Sequence, residues 1–286
     1  MHNDLCRVFR GFLNQSDETE KYTAIIKPTN PNHNLAGATT KDFVCAEGFG
    51  IEVELIINMD NGERLVLQSL RQEHFEKFKA LFQNPIARAT YDNGLPLADA
   101  EVRKKFDMWS TRLPQGNPYS VFSIFNHEGQ FIGNVNFGIG NKPGQGFLAL
   151  LLSPEYLWHG YGKAVIEAMC TFYTKVLREY DPSGIFLKGE KLHEVYATVW
   201  NQPPLNSRDG KRSDNSEASE HIIVDRLGFK PQGTTVDSGI QKKAFTAQVL
   251  QLGNVLVDSF VGTTDDGVAY GLGSEQDQQN QSGMHP

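Results

Sequence analysis

Cysteine is scarce in this chain of 286 residues: Cys6, Cys45 and Cys170 are the only three. The count is odd and no pair has the C-x-x-C spacing. That excludes a disulfide framework and a structural zinc site of the usual spacing, so no metal is expected, and it points to a reducing compartment. No apolar run reaches the length needed to span a bilayer, and the first residues (MHNDLCRVFRGF) lack the apolar core of a signal peptide. No membrane association is expected, and a cytoplasmic location follows by default; export by a C-terminal signal stays open. Excess positive charge is also missing. The formal net charge is −7, a poor basis for sequence-independent nucleic-acid binding, which rests on Lys and Arg contacts to phosphate. What remains is 39% hydrophobic and 21% charged residues, a globular composition.

The most specific stretch is residues 147–168, FLALLLSPEYLWHGYGKAVIEA. Phe147–Leu152 is an apolar run of strand length, ended by Ser153-Pro154. Trp158-His159-Gly160-Tyr161-Gly162-Lys163 follows, and then an apolar helix begins. Strand, glycine turn and helix together present free backbone N–H groups and the positive end of a helix dipole to one anion. Gly160 and Gly162 allow close backbone approach, and Lys163 adds a mobile cation. The chemistry expected is pyrophosphate binding. A dinucleotide fingerprint would need a third glycine where Val165 stands, and a P-loop would need Ser or Thr where Ala164 stands.

Residues 51–58 and 63–70 alternate in polarity around Asp60-Asn61-Gly62, which predicts a hairpin. Arg71–Phe82 and Leu97–Trp109 have helical apolar spacing. Tyr119–Phe125 and Phe131–Phe137 predict a second hairpin; Asn134 and Asn136 share one face of it, expected to be exposed, with the wall of a wet site as the alternative. After the glycine turn come a helix to about Glu179, a strand at Val195–Trp200, a polar loop over 206–217, a helix at Ala218–Leu227 closed by Gly228, and a last strand at Ala244–Leu250. Residues 1–50 read as an irregular N-terminal extension, 51–250 as the domain, and 251–286 as a C-terminal extension whose tail, 271–286, is compositionally disordered.

The glycine turn, the element order and the later Leu227-Gly228-Phe229 together resemble the GNAT superfamily of N-acetyltransferases, and within it the branch that acetylates ribosomal-protein N-termini. The family pattern begins with Gln or Arg where this chain has Leu157. The resemblance implies an α/β (α+β) GNAT fold: a mixed, mostly antiparallel sheet flanked by helices, with a V-shaped splay between two central parallel strands. It implies acetyl-CoA as co-substrate, held by Leu150, Leu151, Leu152, Trp158, His159, Gly160, Tyr161, Gly162, Lys163 and Asn201. The backbone N–H of Leu151 or Leu152 would polarise the thioester carbonyl. The partner implied is a primary amine, on a protein N-terminus or a lysine. A small amine such as a polyamine or aminoglycoside, or a silent CoA-binding module, are the alternatives.

The incoming amine must lose a proton before it attacks, so a base or a water wire is needed. Many family members place a tyrosine acid where this chain has Val224. Glu155 and Tyr196 are the candidates for proton handling. The acceptor is expected among the loops between Asn84 and Leu97 and between Gln202 and Ser216.

Overall fold

The computed structural model describes residues 7–11, 21–29, 50–181, 183–201, 215–237, 239–255, 261–263 and 269–271. In chain order the strands are β1 (Arg7–Gly11), β2 (Tyr22–Pro28), β3 (Ile51–Asn58), β4 (Arg64–Ser69), β5 (Val121–Phe125), β6 (Phe131–Ile139), β7 (Gln145–Leu152), β8 (Glu194–Trp200), β9 (Lys230–Asp237), β10 (Ile240–Gln248), β11 (Val261–Thr263) and β12 (Ala269–Gly271). The helices are α1 (Phe75–Gln83), α2 (Pro85–Arg88), α3 (Asp99–Ser110), α4 (Tyr161–Lys175), α5 (Asn215–His221) and α6 (Val249–Val255). One sheet holds all the strands in the order β12-β11-β1-β2-β3-β4-β5-β6-β7-β8-β10-β9. Every pairing is antiparallel except β7 with β8.

Local sequence accounts for the elements near the site. The β3–β4 hairpin closes through Gly62 at φ 83°, a left-handed turn position that suits glycine. Phe75, Phe78, Leu81 and Phe82 form the buried face of α1. With Val102, Phe106 and Trp109 of α3 they cover one face of the sheet, where Val121 and Leu151 meet them. The other face packs against α4, whose Val165, Ile166, Met169 and Phe172 join the larger core cluster with Ile223 and Phe229. The sheet is therefore buried on both sides at β7, which is why QGFLALLL reads as a continuous apolar run rather than an alternating one.

Residues 1–50 read from the sequence as irregular, yet β1 and β2 lie within them. In β2, Tyr22, Ala24 and Ile26 alternate inward at 0% exposure and pair with β3. The last predicted strand, 244–250, is displaced: β10 runs Ile240–Gln248 and a helix starts at Val249. Except for Gly271, the predicted disordered tail lies outside the described residues. Among the described residues no helix is long and apolar enough to cross a membrane.

Candidate active site

The parallel pair β7–β8 holds its register over Gln145↔Glu194, Gly146↔Val195, Phe147↔Tyr196 and Leu148↔Ala197, and then stops. Both strands continue, β7 to Leu152 and β8 to Trp200, without further pairing to each other. This is the V-shaped splay that the resemblance implies. A cavity of about 560 Å³ passes through it.

Backbone direction within the splay follows from strand alternation. His193 N–H donates to Gly144 O, so even-numbered residues of β7 face β8. Ser153 N–H donates to Ile132 O, so odd-numbered ones face β6. Leu150 and Leu152 therefore turn their N–H and C=O groups into the cleft. Leu151 turns its own toward Asn134 of β6, so of the two amides expected to polarise a carbonyl only that of Leu152 has the right direction. On the opposite wall Asn201 N–H donates to Gln241 O. By the same alternation Thr198 and Trp200 face the cleft.

The turn above the cleft is shaped as a cradle. Trp158 sits at φ 70° and Gly160 at φ 79°. The indole of Trp158 is 69% exposed at the cavity mouth, and its left-handed backbone is unusual for a bulky residue. Gly160 caps α4 without a side-chain hydrogen bond, and no acidic residue occupies the first turn. The first N–H groups of α4 are thus left to a ligand, with the positive end of the helix dipole behind them. A Cβ on Gly162 would lie 3.4 Å from Leu150 Cδ2, an ordinary contact. Internal packing does not require glycine there, whereas close approach of a phosphate does. The residues present fit the pyrophosphate of acetyl-CoA.

Of the residues expected from the sequence, Leu150, Leu151, Leu152, Trp158, Gly160, Gly162 and Lys163 line the cavity. Lys163 Nζ also reaches Glu167 Oε1 at 3.9 Å. The ring of Tyr161 turns away into the core, where burial and then Glu63 raise its pKa, while His159 is exposed and stacks on it at 5.4 Å. Asn201 is tied to Gln241 through both its backbone and its side chain. The structure does not bring Tyr161, His159 or Asn201 side chains to the cavity wall.

Neither proton-handling candidate lines the cavity. Glu155 is exposed on the turn Pro154–Tyr156. Tyr196 lies below the splay against Phe147, with ring centroids 5.9 Å apart, and partial burial raises its pKa. On α5 and the π-helical turn that follows it, Ser219, Ile222 and Ile223 line the cavity, while Val224 packs on the core.

The acceptor side was only partly legible in the sequence. The loop after α2 contributes Thr90, Tyr91 and Asp92, within the Asn84–Leu97 span expected. Its organiser, Arg88, is 0% exposed. Arg88 Nε donates to Leu95 O at 2.9 Å, and its Nη2 donates to Asn93 Oδ1 at 3.0 Å and meets Asp92 Oδ2 at 3.4 Å. The guanidinium lies over the rings of Phe82 and Tyr91. Burial pushes the Tyr91 hydroxyl up to about 12. The second expected loop, 202–214, is outside the described residues.

Asn134 and Asn136 are not on an exposed face. Asn134 is 3% exposed, and Asn136 lines the cavity. Helices α1 and α3 cover the face they share with Leu151, so the two asparagines lie on a covered wall rather than on a solvent-facing strand.

Residues 64–202 match the family described as the acetyltransferase (GNAT) domain. The matched segment runs from the start of β4 to just past the end of β8 and includes the glycine turn. Solved structures similar to it include a GNAT-family acetyltransferase from Bacillus anthracis (12% identity, TM-score 0.47, covering 65% of this chain and 95% of that one). They also include spermidine N-acetyltransferase from Vibrio cholerae in complex with CoA and spermine (14%, TM-score 0.48, 66% and 97%). A third is RimL, a ribosomal L7/L12 alpha-N-protein acetyltransferase, in complex with coenzyme A (14%, TM-score 0.46, 64% and 93%). No curated protein matches the chain.

Proposed function

We propose that this protein is an acetyl-CoA-dependent N-acetyltransferase whose acceptor is the amine of a protein N-terminus or a lysine. The observation that carries the reading is the end of β7–β8 pairing at Leu148↔Ala197 beneath the uncapped start of α4. It leaves a slot with free backbone groups on both walls and an anion cradle above. When bound, acetyl-CoA supplies an activated acetyl carbonyl. The amides of Tyr161, Gly162 and Lys163 bind its pyrophosphate. Leu150 and Leu152 on one wall, with Thr198 and Trp200 on the other, can hold the pantetheine arm as an added strand. The Leu152 N–H is directed to stabilise negative charge growing on the carbonyl oxygen. The loop Thr90–Asp92 bounds the side from which the amine enters.

Charge favours a protein acceptor over a polyamine. The described lining carries Asp92 and Asp237 against Lys105, Lys163 and Lys242. Both carboxylates are already paired: Asp92 with Arg88 at 3.4 Å and Lys105 at 3.8 Å, and Asp237 with Lys242 at 2.7 Å. A polycation would meet no uncompensated acid among these residues.

The test is thiol release from acetyl-CoA against an array of peptides, polyamines and aminoglycosides. Turnover with peptides supports the reading, and turnover with polyamines alone reassigns the acceptor. If acetyl-CoA binds but no acceptor is acetylated, the chain is a silent CoA-binding module.

A further inference from the structure

Four polar residues run across the helix-covered face of the sheet, from the cavity inward. Asn136 lines the cavity, and its Oδ1 is buried with no hydrogen-bond partner. Asn134, next on the same face of β6, is 3% exposed, and neither atom of its amide has a partner. Ser123 of β5, 0% exposed, is the register partner of Asn134, which places their side chains side by side. Ser123 Oγ lies 3.0 Å from Nδ1 of His74, and the same Nδ1 accepts the Arg71 N–H at 3.2 Å. His74 is itself 4% exposed and adjoins exposed Gln72 and Glu73.

The surroundings of this stripe are apolar: Phe75, Phe78 and Trp109 above, and Val121 and Leu151 beside. A buried amide left without partners costs on the order of 1–3 kcal/mol per group. A leucine at 134 would pack without that cost, so the asparagine calls for another reason. The reaction provides one. An acceptor that arrives as an ammonium and leaves as an amide, while the thiolate takes up a proton to become a thiol, yields one proton per turnover. That proton must reach solvent. Glu155 and Tyr196 do not line the cavity, and Asp92 is held by two cations.

We propose that Asn136, Asn134 and Ser123 hold a file of water that carries the acceptor's proton from the cavity to His74 at the far end of the stripe. This rests on the acetyl-transfer reading above. The ammonium gives one proton to the first water. Each member of the file takes one proton and passes one on, so the file ends unchanged and the amine is neutral. Asn134 and Asn136 act by positioning water; their amides carry no proton. Ser123 Oγ passes a proton to His74 Nδ1, and His74 releases one from Nε2.

The decisive variant is Asn134→Leu, which fills the stripe with hydrocarbon. The expected result is a kcat lower by roughly 100-fold, the low end of what assisted proton transfer contributes, with KM for acetyl-CoA unchanged and thermal stability kept or raised. Asn134→Ser, small and polar, should retain kcat within about threefold of wild type. A crystal structure of the free wild-type protein should show ordered water on both Asn134 amide atoms. Unchanged kcat in a folded Asn134→Leu protein overturns the proposal, as does an Asn134 amide bonded only to protein groups. Should Asn134→Leu not fold, Ser123→Ala replaces it, and its expected result is the same loss of kcat. A wild-type protein that acetylates no amine refutes the parent reading instead, and leaves the water structure as the measurement on the stripe.

Discussion

Leu148 and Ala197 are the last register partners of the only parallel strand pair among the described residues, and the next residues of each strand pair no further with the other. Everything that makes the site follows from that stop. Backbone groups that would have bonded across β7 and β8 are left for a ligand, at the one place where the sheet is both central and open.

Gly162→Asp tests the cradle. The added Cβ meets only Leu150 and Leu152 methyl groups at ordinary contact distance, so the fold should survive. The carboxylate would stand where a pyrophosphate is expected. Acetyl-CoA affinity measured by calorimetry should fall by more than about tenfold, or roughly 1.4 kcal/mol. Equal affinity in the folded variant removes the pyrophosphate assignment. Gly160→Ala acts differently: at φ 79° the alanine should lower stability by about 1–2 kcal/mol in denaturant unfolding.

Arg88→Met tests the acceptor wall. The guanidinium holds Leu95, Asn93 and Asp92 from a fully buried position. Its loss should cost about 2–3 kcal/mol of stability, the scale of hydrogen bonds to a charged group. KM for the acceptor should rise, while acetyl-CoA affinity stays as it was. A variant with weakened coenzyme binding and normal acceptor KM would put this loop on the wrong side of the reaction.

Burial depresses the pKa of His74 from 6.5 to about 4. The folded protein holds the imidazole neutral over a pH range in which the unfolded chain binds a proton. Stability should therefore be full above pH 6.5 and decline as pH falls toward 4, by something of order 3 kcal/mol. Urea unfolding at pH 7 and pH 4.5 measures the loss. His74→Phe should make that pH dependence shallower; an unchanged slope would assign it to other groups.

Cys170 is buried in α4, and burial pushes its thiol up to about 12. It should not react with a disulfide reagent in the native protein and should react promptly in denaturant. Rapid labelling of the native Cys170, located by peptide mass spectrometry, would show that α4 opens far more easily than its packing implies.

The glycine turn was legible because its cause is local: Gly160 takes a left-handed backbone position that suits glycine, and the helix N–H groups that follow it are left bare whatever surrounds them. The β3–β4 hairpin was legible for the same reason. Tyr22–Pro28 alternates as a strand should, yet its partner β3 begins beyond a long intervening segment, and nothing nearby in sequence announces it. Asn134 and Asn136 share a face in the sequence, but which face becomes covered depends on where α1 and α3 settle. Glu155 and Tyr196 sit near the splay in sequence and still miss it, because a cavity wall is set by side-chain direction. Arg88 carried no sequence signal that distinguished it from a surface arginine.

The pairing of β1 with β11 has a consequence for synthesis. Val8 meets Thr263 and Arg10 meets Val261, so one strand waits for a partner made about 250 residues later. At about 5–20 residues per second the 250 residues after Gly11, up to and including Val261, take roughly 12–50 s to emerge. For that interval one flank of β1 has no native neighbour, and a growing polysome presents many such flanks close together. Slower elongation should lengthen this exposure, and a holdase should matter more for this chain than for one whose outer strands are made together.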